Sequence, residues 1–512
     1  MTGTLRVFAD TYVDSVVQLS GTRAMYNVDG VEWAAAAMAT PANVATLGAE
    51  GFDTAELASA GANDLFLAVR AADTAAADAA LDAAQQAMFS TRAAGTGGDE
   101  APPPRTLRGA LDRQPGSNVA VISVPGDYAS LEAHKALSAG MDVLLFSDNV
   151  PVEAEIELKD RATSLGLLVM GPGAGTAMLG GVGLGFANVV KPGRVAVVAA
   201  AGTGAQEAMS LLDRWGDGVA CVIGLGGRDL TAQIDGRMAR LAVRSLTRRD
   251  DIDAILLVSK PPADEVARAV VAAAGDTPFV GAYVGTTASF DLPATARVAT
   301  TLEAGVLETL RLLDRPVPDV VGDLEAQVRK AIDRLDEHRT LVRGLYSGGT
   351  LCYESLTILG PLLGAVYSNT PLDKTLAVPA PGGSHICLDL GEEEYTKGRP
   401  HPMIDPQARI DLLREQGADA DVAAILLDVV IGYGAHADPA GQLAPVCAEI
   451  HRAGGPQVVA YVLGTQQDPQ GFADQRRILE EAGCIVTETA ARAALAAAAL
   501  ATRDPQVVLR EL

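Results

Sequence analysis

Two signatures alternate along this chain. Short uninterrupted apolar runs, of the kind that strands buried on both faces require, are separated by longer stretches with helical period. Up to about residue 90 the pattern predicts a small α/β unit, with strands at 5–9, 28–38 and 64–69 and helices at 14–25, 41–47 and 75–88. Gly and Pro then cluster at 91–106 and periodicity vanishes, as in a linker. From 118 onward the order is βαβαβ, with strands at 119–124, 142–146 and 167–170, which predicts a parallel sheet. A glycine-rich connection leads to Lys191. A further unit carries strands at 194–200, 219–223, 254–258 and 278–284. The charged segment 324–339 shows no clear apolar face and reads as a bridge between domains.

The last unit repeats the one before it. SGGTLCYES at 347–355 answers AGTGAQEA at 201–208, and HICLDLGEEEY at 385–395 answers CVIGLGGRDL at 221–230. AAILLDVVIGYG at 423–434 answers DAILLVSKPP at 253–262, and PQVVAYVLGTQQD at 456–468 answers TPFVGAYVGTT at 277–287. The order of the four pairs is the same in both copies, which points to a duplicated doubly wound domain. The predicted boundaries are 1–97, 107–192, 193–318, a helical linker at 319–340, and 341–512.

Composition narrows the function classes. The 512 residues are 48% apolar and 4% aromatic, which suits an Ala/Val/Leu-rich α/β protein. A formal net charge of −24 argues against a nucleic-acid partner. The five cysteines are scattered, with no CxxC or Cys/His metal spacing, so reduced cytoplasmic thiols and no metal are expected. No apolar run is long enough to span a bilayer and no leader pattern opens the chain. A soluble, cytoplasmic protein is the expectation.

Candidate chemistry concentrates at strand ends. The turn Gly202-Thr203-Gly204 follows an apolar strand and opens a helix, and Ser347-Gly348-Gly349-Thr350 does the same in the repeat. Each such helix start offers free N–H groups and about half a positive charge to an anion. Gly226, Gly227 and Arg228 end one strand and Lys260 another, at the crevice where doubly wound sheets bind ligands. The two helix starts are expected to hold a phosphate between them, with Lys260 or Arg228 beside it. YTKGRPHPMID at 395–405 is the densest polar stretch. There Arg399 suits a carboxylate or phosphate and His401 suits acid–base work. His436 is a weaker candidate, and Asp428 reads as a loop-ordering group.

The passage GPGAGTAMLGGVGLGFANVVKPGRVAVVAAAGTGAQEA resembles the α subunit of CoA ligases of the succinyl-CoA synthetase type, where the CoA-binding domain meets the ligase domain. The repeat from Leu341 resembles the ligase domain of their β subunit. MATPANVATLGAEGF, GTGAQE, IGLGGRDL, VSKPP, LYSGGTLCYES and YTKGRPHPMIDP are similar to the FdrA family within that superfamily. The resemblance implies a small N-terminal α/β domain, a Rossmann-like CoA-binding-type domain and two flavodoxin-like ligase domains. It also implies that the two ligase halves pack with pseudo-twofold symmetry.

The departures from the ligases matter as much. They carry a phosphorylated histidine after the last strand of the first ligase domain, where this chain reads GTTASFDLPATARVATT. The acidic residue that steadies it in the relatives falls at Ser259-Lys260, where a cation stands. The phosphate loop that opens the CoA domain and the ATP-grasp domain are both missing. The resemblance therefore implies a subunit like that of oxamate carbamoyltransferase, which splits a ureido acid with phosphate, in allantoin or related nitrogen catabolism. On that reading phosphate or carbamoyl phosphate is the small-molecule ligand, CoA is not expected, and two further subunits complete the enzyme. A homodimer is compatible. An acyl-CoA synthetase and a non-catalytic scaffold are the alternatives.

Overall fold

The computed structural model describes residues 2–13, 15–93, 104–396 and 400–512. The chain divides into two compact units, one running up to Pro104 and one carrying Arg105–Thr396 and His401–Leu512. In the first, the strand Leu65–Ala71 lies between Thr2–Phe8 and Val31–Met38 in an antiparallel sheet. One face of this sheet packs on the helices Ser15–Tyr26 and Thr74–Ala93 through Met25, Leu67, Val69, Leu81 and Met88. The linker expected at 91–106 falls largely outside the described residues.

The second unit holds three sheets. The strands Val119–Ile122, Asp142–Leu145 and Val169–Met170 form a parallel sheet in chain order. The next sheet runs Ala296–Ala299, Phe279–Tyr283, Ala254–Ser259, Pro192–Ala199, Val219–Gly224, all parallel. The third runs Ile485–Thr487, Gln457–Leu463, Val422–Val430, Leu341–Tyr346, His385–Asp389, again parallel, with the short strand Val366–Tyr367 added at the edge beyond His385–Asp389. Taken by place in the repeat, the two orders are the same, and each is the order of a flavodoxin-like sheet. The glycine-rich connection is not a plain loop. Its segments Thr176–Leu179 and Val182–Gly185 form a hairpin that extends the first of these sheets antiparallel to Val219–Gly224. Seven glycines at 171–185 hide the alternation that marks a strand.

The two halves meet through helices. Gly202–Arg214 and Leu302–Leu312 from one, with Gly349–Leu363 and Ala490–Thr502 from the other, share one apolar core with both sheets. Nine of the thirteen residues of Ala490–Thr502 are alanine, so its neighbours can approach closely. The contact is reciprocal. Glu354 accepts from the Leu302 amide (2.6 Å), at the start of the first half's last helix. Glu207, its counterpart, bonds the backbone of Ala490, at the start of the second half's last helix, and takes the Tyr461 hydroxyl. Burial pushes these carboxyls up, Glu207 to about 7 and Glu354 to about 8. The segment expected to lack an apolar face has one. In the helix Leu324–Arg334, Leu324, Val328 and Ala331 fall on a single side and are buried in the shared core, a stripe too narrow to show among six charged or amide neighbours.

Candidate functional site

Each helix start at the centre of the second unit is set by the strand before it. The strand Pro192–Ala199 is a buried Val/Ala run, and the chain turns at Ala200-Ala201 into the helix Gly202–Arg214. Ala201 gives that helix no side-chain cap, so its first amides are open. They face a cavity of about 460 Å³. Gly202, Thr203, Gly226, Gly227, Lys260, Ser347, Gly349, Thr350 and His401 line it, so most of the residues singled out in the sequence meet at one place. Phe146, Asp148, Phe186, Gln206, Asp389 and Glu392 complete the polar and aromatic lining. Gly226 holds φ +79°, and a Cβ there would collide with the backbone at Gly171-Pro172.

The second helix start differs from the first. Asp428 ends no strand; it sits within Val422–Val430 and is 1% exposed. Its Oδ1 accepts from the Ser347 amide (2.8 Å) and its Oδ2 from the Gly348 amide (2.7 Å), while Ser347 Oγ donates to both (3.0 and 3.1 Å). Buried Arg409 neutralises it from behind at 3.0 Å. The Thr350 amide donates to Thr203 Oγ1 (3.3 Å). A Cβ at Gly204 would come within 3.0 Å of Thr350 Cγ2, and one at Gly348 within 2.7 Å of Thr203 Cγ2. The two helix starts thus pack directly on each other. This corrects the expectation of two open mouths with an anion between them. Gly204 and Gly348 are contact residues and the amides of Ser347, Gly348 and Thr350 are committed, so of the second start only the Gly349 amide is left open, and most of the open donors belong to the first start.

Lys260 stands at the rim of the cavity, its Nζ 4.8 Å from the centre of the Tyr353 ring, and it forms no salt bridge among the described residues. Arg228 is not its companion. Arg228 pairs with Glu155 (2.8 Å) and donates to the Val150 carbonyl (2.7 Å). It closes a buried cluster in which Lys159, 0% exposed, bridges Glu155 and Asp229 at 2.8 Å each. A desolvated carboxylate such as Glu155 holds its partner far more firmly than solvent does, so Arg228 is turned away from the cavity. Lys397 and Arg399 lie outside the described residues. His436 orders its own loop by accepting from the Asp438 amide at 3.0 Å, away from the cavity lining.

His401 and Asp389 face each other across Gly391. A Cβ on Gly391 would lie 2.8 Å from His401 Nε2 and 3.2 Å from Asp389 Oδ1. The Met403 amide donates to His401 Nδ1 (3.3 Å), which leaves the ring proton on Nε2, toward Gly391. Burial lowers the His401 pKa to about 4, so the ring is neutral near pH 7 and serves as a hydrogen-bonding group, with no proton to give as a cation. Asp389 ends the strand His385–Asp389 and is 5% exposed. Its Oδ1 accepts from the Gly391 amide (3.0 Å), and a Cβ on Gly349 would collide with its Oδ2. Burial pushes this carboxyl up to about 6. Sequence reading passed over Asp389. Its position, last in an apolar run and equivalent to the strand end before Gly226, was the available signal.

Comparison with known proteins decides the kinship. The chain is 38% identical to the Escherichia coli (strain K12) protein YahF over 502 residues, 95% of this chain and 96% of that one. The chain belongs to the FdrA family. The CoA-ligase family profile matches residues 345–500 of this FdrA-family chain, and the profile described as AllF, heavy metal-associated domain matches residues 1–104. The ADP-forming sulfoacetate-CoA ligase subunit SauD of Bilophila wadsworthia (strain 3_1_6) is 29% identical over 183 residues, 34% of this chain and 61% of that one. Among solved structures, the dinucleotide-forming acetyl-coenzyme A synthetase 1 of Ca. Korarchaeum cryptofilum aligns at 16% identity, 80% of this chain and 90% of that one, with a TM-score of 0.34. The protein is a member of the succinyl-CoA synthetase-like superfamily.

Two groups that this kinship brings to mind do not match the residues present. Residues 1–104 contain neither Cys nor His, so the thiolate and imidazole ligands a heavy-metal domain uses are missing from its sequence. Among the described residues the cavity offers Lys260 as its one Lys or Arg against Asp148, Asp389 and Glu392, a poor setting for the several phosphate charges of CoA. No helix among the described residues is long and apolar enough to cross a membrane.

Proposed function

We infer that this FdrA-family chain is a subunit of a carbamoyltransferase. It splits a ureido acid with phosphate and yields carbamoyl phosphate and an amide. The carrying observation is Lys260, without a salt-bridge partner among the described residues, on the same cavity as the uncapped helix start at Gly202. A helix start with an adjacent free cation is suited to one phosphate bound directly. The strand end that would carry a phosphorylated histidine reads Gly285-Thr286-Thr287 instead. Phosphorolysis needs a phosphate site and neither a phosphohistidine nor CoA. A carbamoyl group presents N–H donors, and the carboxylates of the cavity wall are acceptors for them. The remaining parts of the enzyme belong to two partner subunits.

The test is an activity screen of the complex purified with its partners, using ureido acids and inorganic phosphate and reading carbamoyl phosphate. Carbamoyl phosphate that forms only when phosphate is present is the expected result. Kinship to CoA ligases keeps one rival, the acyl-CoA synthetase. Acid-labile, base-stable labelling of a histidine by ATP, with acyl-CoA formed, would replace the carbamoyltransferase reading by that one.

A further inference from the structure

We propose that Asp389 is the proton-transfer group of this cavity, the one that protonates the departing nitrogen when phosphate takes the carbamoyl group. The inference rests on the phosphorolysis reading and adds to it the residue that moves the proton. Three observations place Asp389. It closes the strand His385–Asp389 at the crevice end of the sheet and lines the cavity. One oxygen is fixed by the Gly391 amide at 3.0 Å, and the other reaches the start of the helix Gly349–Leu363. Unlike Asp428, which Arg409 neutralises at 3.0 Å, Asp389 has no salt bridge among the described residues. The groups that face it are Lys260, which favours the carboxylate, and Glu392 and Asp428, which disfavour it. The thiol of Cys352 and neutral His401 are also close. Burial outweighs Lys260, so the carboxyl holds a proton to about pH 6, higher than an exposed Asp. A carboxyl tuned toward neutrality can both give and retake a proton under working conditions.

The chemistry balances with that single group. An oxygen of hydrogen phosphate bonds to the carbamoyl carbon. The bond from that carbon to the amide nitrogen breaks, and its electron pair stays on the nitrogen. The nitrogen takes the proton of the Asp389 carboxyl, and the proton that phosphate sheds restores it. Neutral His401, with its Nε2 proton toward Gly391, holds the carbamoyl oxygen or the carboxylate without itself changing charge.

The experiment compares wild type, Asp389→Asn and Asp389→Glu in the intact complex, with two carbamoyl donors. One is the ureido acid, whose amide nitrogen must be protonated to leave. The other is a carbamoyl ester whose phenolate leaves without a proton. Asn should lower turnover of the ureido acid about 100-fold or more, in the range that general acids contribute. It should lower turnover of the ester far less than that of the ureido acid, because the phenolate needs no proton to leave, and should erase the pH-rate limb near 6. Glu should recover part of the loss. Ureido turnover of the Asn variant within a few-fold of wild type would overturn the proposal. So would an equal loss with both donors, which marks a structural role, and melting curves of both variants show which cause applies. A wild-type complex inactive with every ureido acid would instead defeat the phosphorolysis reading itself, and this proposal with it.

Discussion

Replacing Asp428 by Asn probes the turn that separates this site from a symmetric pair of open helix starts. The side chain keeps its volume, so no cavity is created. One of two oxygens becomes an amide nitrogen, a donor placed among donors. The carboxylate accepts from the Ser347 and Gly348 amides at 2.8 and 2.7 Å and from Ser347 Oγ, and it is the ion-pair partner of buried Arg409 at 3.0 Å. After the change Arg409 keeps only carbonyl contacts, with Leu345 at 3.0 Å and with residue 428 itself. Breaking a buried pair from one side costs about 3–5 kcal/mol. At least one amide of the turn also loses its acceptor, at about 1–3 kcal/mol. The two terms share Asp428 and do not add fully, so a loss of about 3–5 kcal/mol is expected. Urea unfolding followed by circular dichroism measures it. The double variant Asp428→Asn/Arg409→Met should recover part of the loss, because the stranded charge is gone. A single variant within about 1 kcal/mol of wild type would refute the reasoning, since that is the worth of one ordinary hydrogen bond.

Two further outcomes follow from the site and the interface. Glu207 and Glu354 have folded pKa values of about 7 and 8, raised by burial, so the folded state holds their protons and stability falls as pH rises through that range. His401 acts oppositely but only below its ordinary value of 6.5, so between pH 6.5 and 8 the glutamates set the slope. Urea midpoints should fall over this window in wild type and more gently in Glu354→Gln; a flat wild-type profile would contradict the assignment. Gly349→Ala places a Cβ against Asp389 Oδ2, so it should impair turnover and shift the acid limb of the pH profile, and an unchanged profile would count against the contact.

Much of this architecture was readable in advance, and the part that was not has physical causes. The duplicated domain showed because apolar strands buried on both faces leave uninterrupted runs, and the helix starts after them carry small residues. The meeting of Gly202, Lys260 and Gly349 followed from their places after strand ends, whereas His401 stood out only by its polar stretch. Asp428 and Asp389 were weaker signals, because one charge inside or at the end of an apolar run does not disturb its period. What each does depends on Arg409 and Gly391, which are distant or unremarkable in sequence. Arg228 was misleading for a related reason. Its strand-end place suggested a ligand, whereas its direction is set by Glu155, more than seventy positions away in the chain. The hairpin at 176–185 was lost among glycines.

Direct phosphate binding is the measurement closest to the centre of this account. Isothermal titration with inorganic phosphate should compare wild type with Lys260→Ala and Arg228→Ala. Loss of a charge-assisted contact costs about 1.5–3 kcal/mol, so Lys260→Ala should weaken binding roughly tenfold to a hundredfold. Arg228→Ala should leave it within about twofold, because Arg228 serves Glu155 and not the cavity. Phosphate bound equally well without Lys260, in protein shown to be folded, would contradict the account, as would a loss confined to Arg228→Ala.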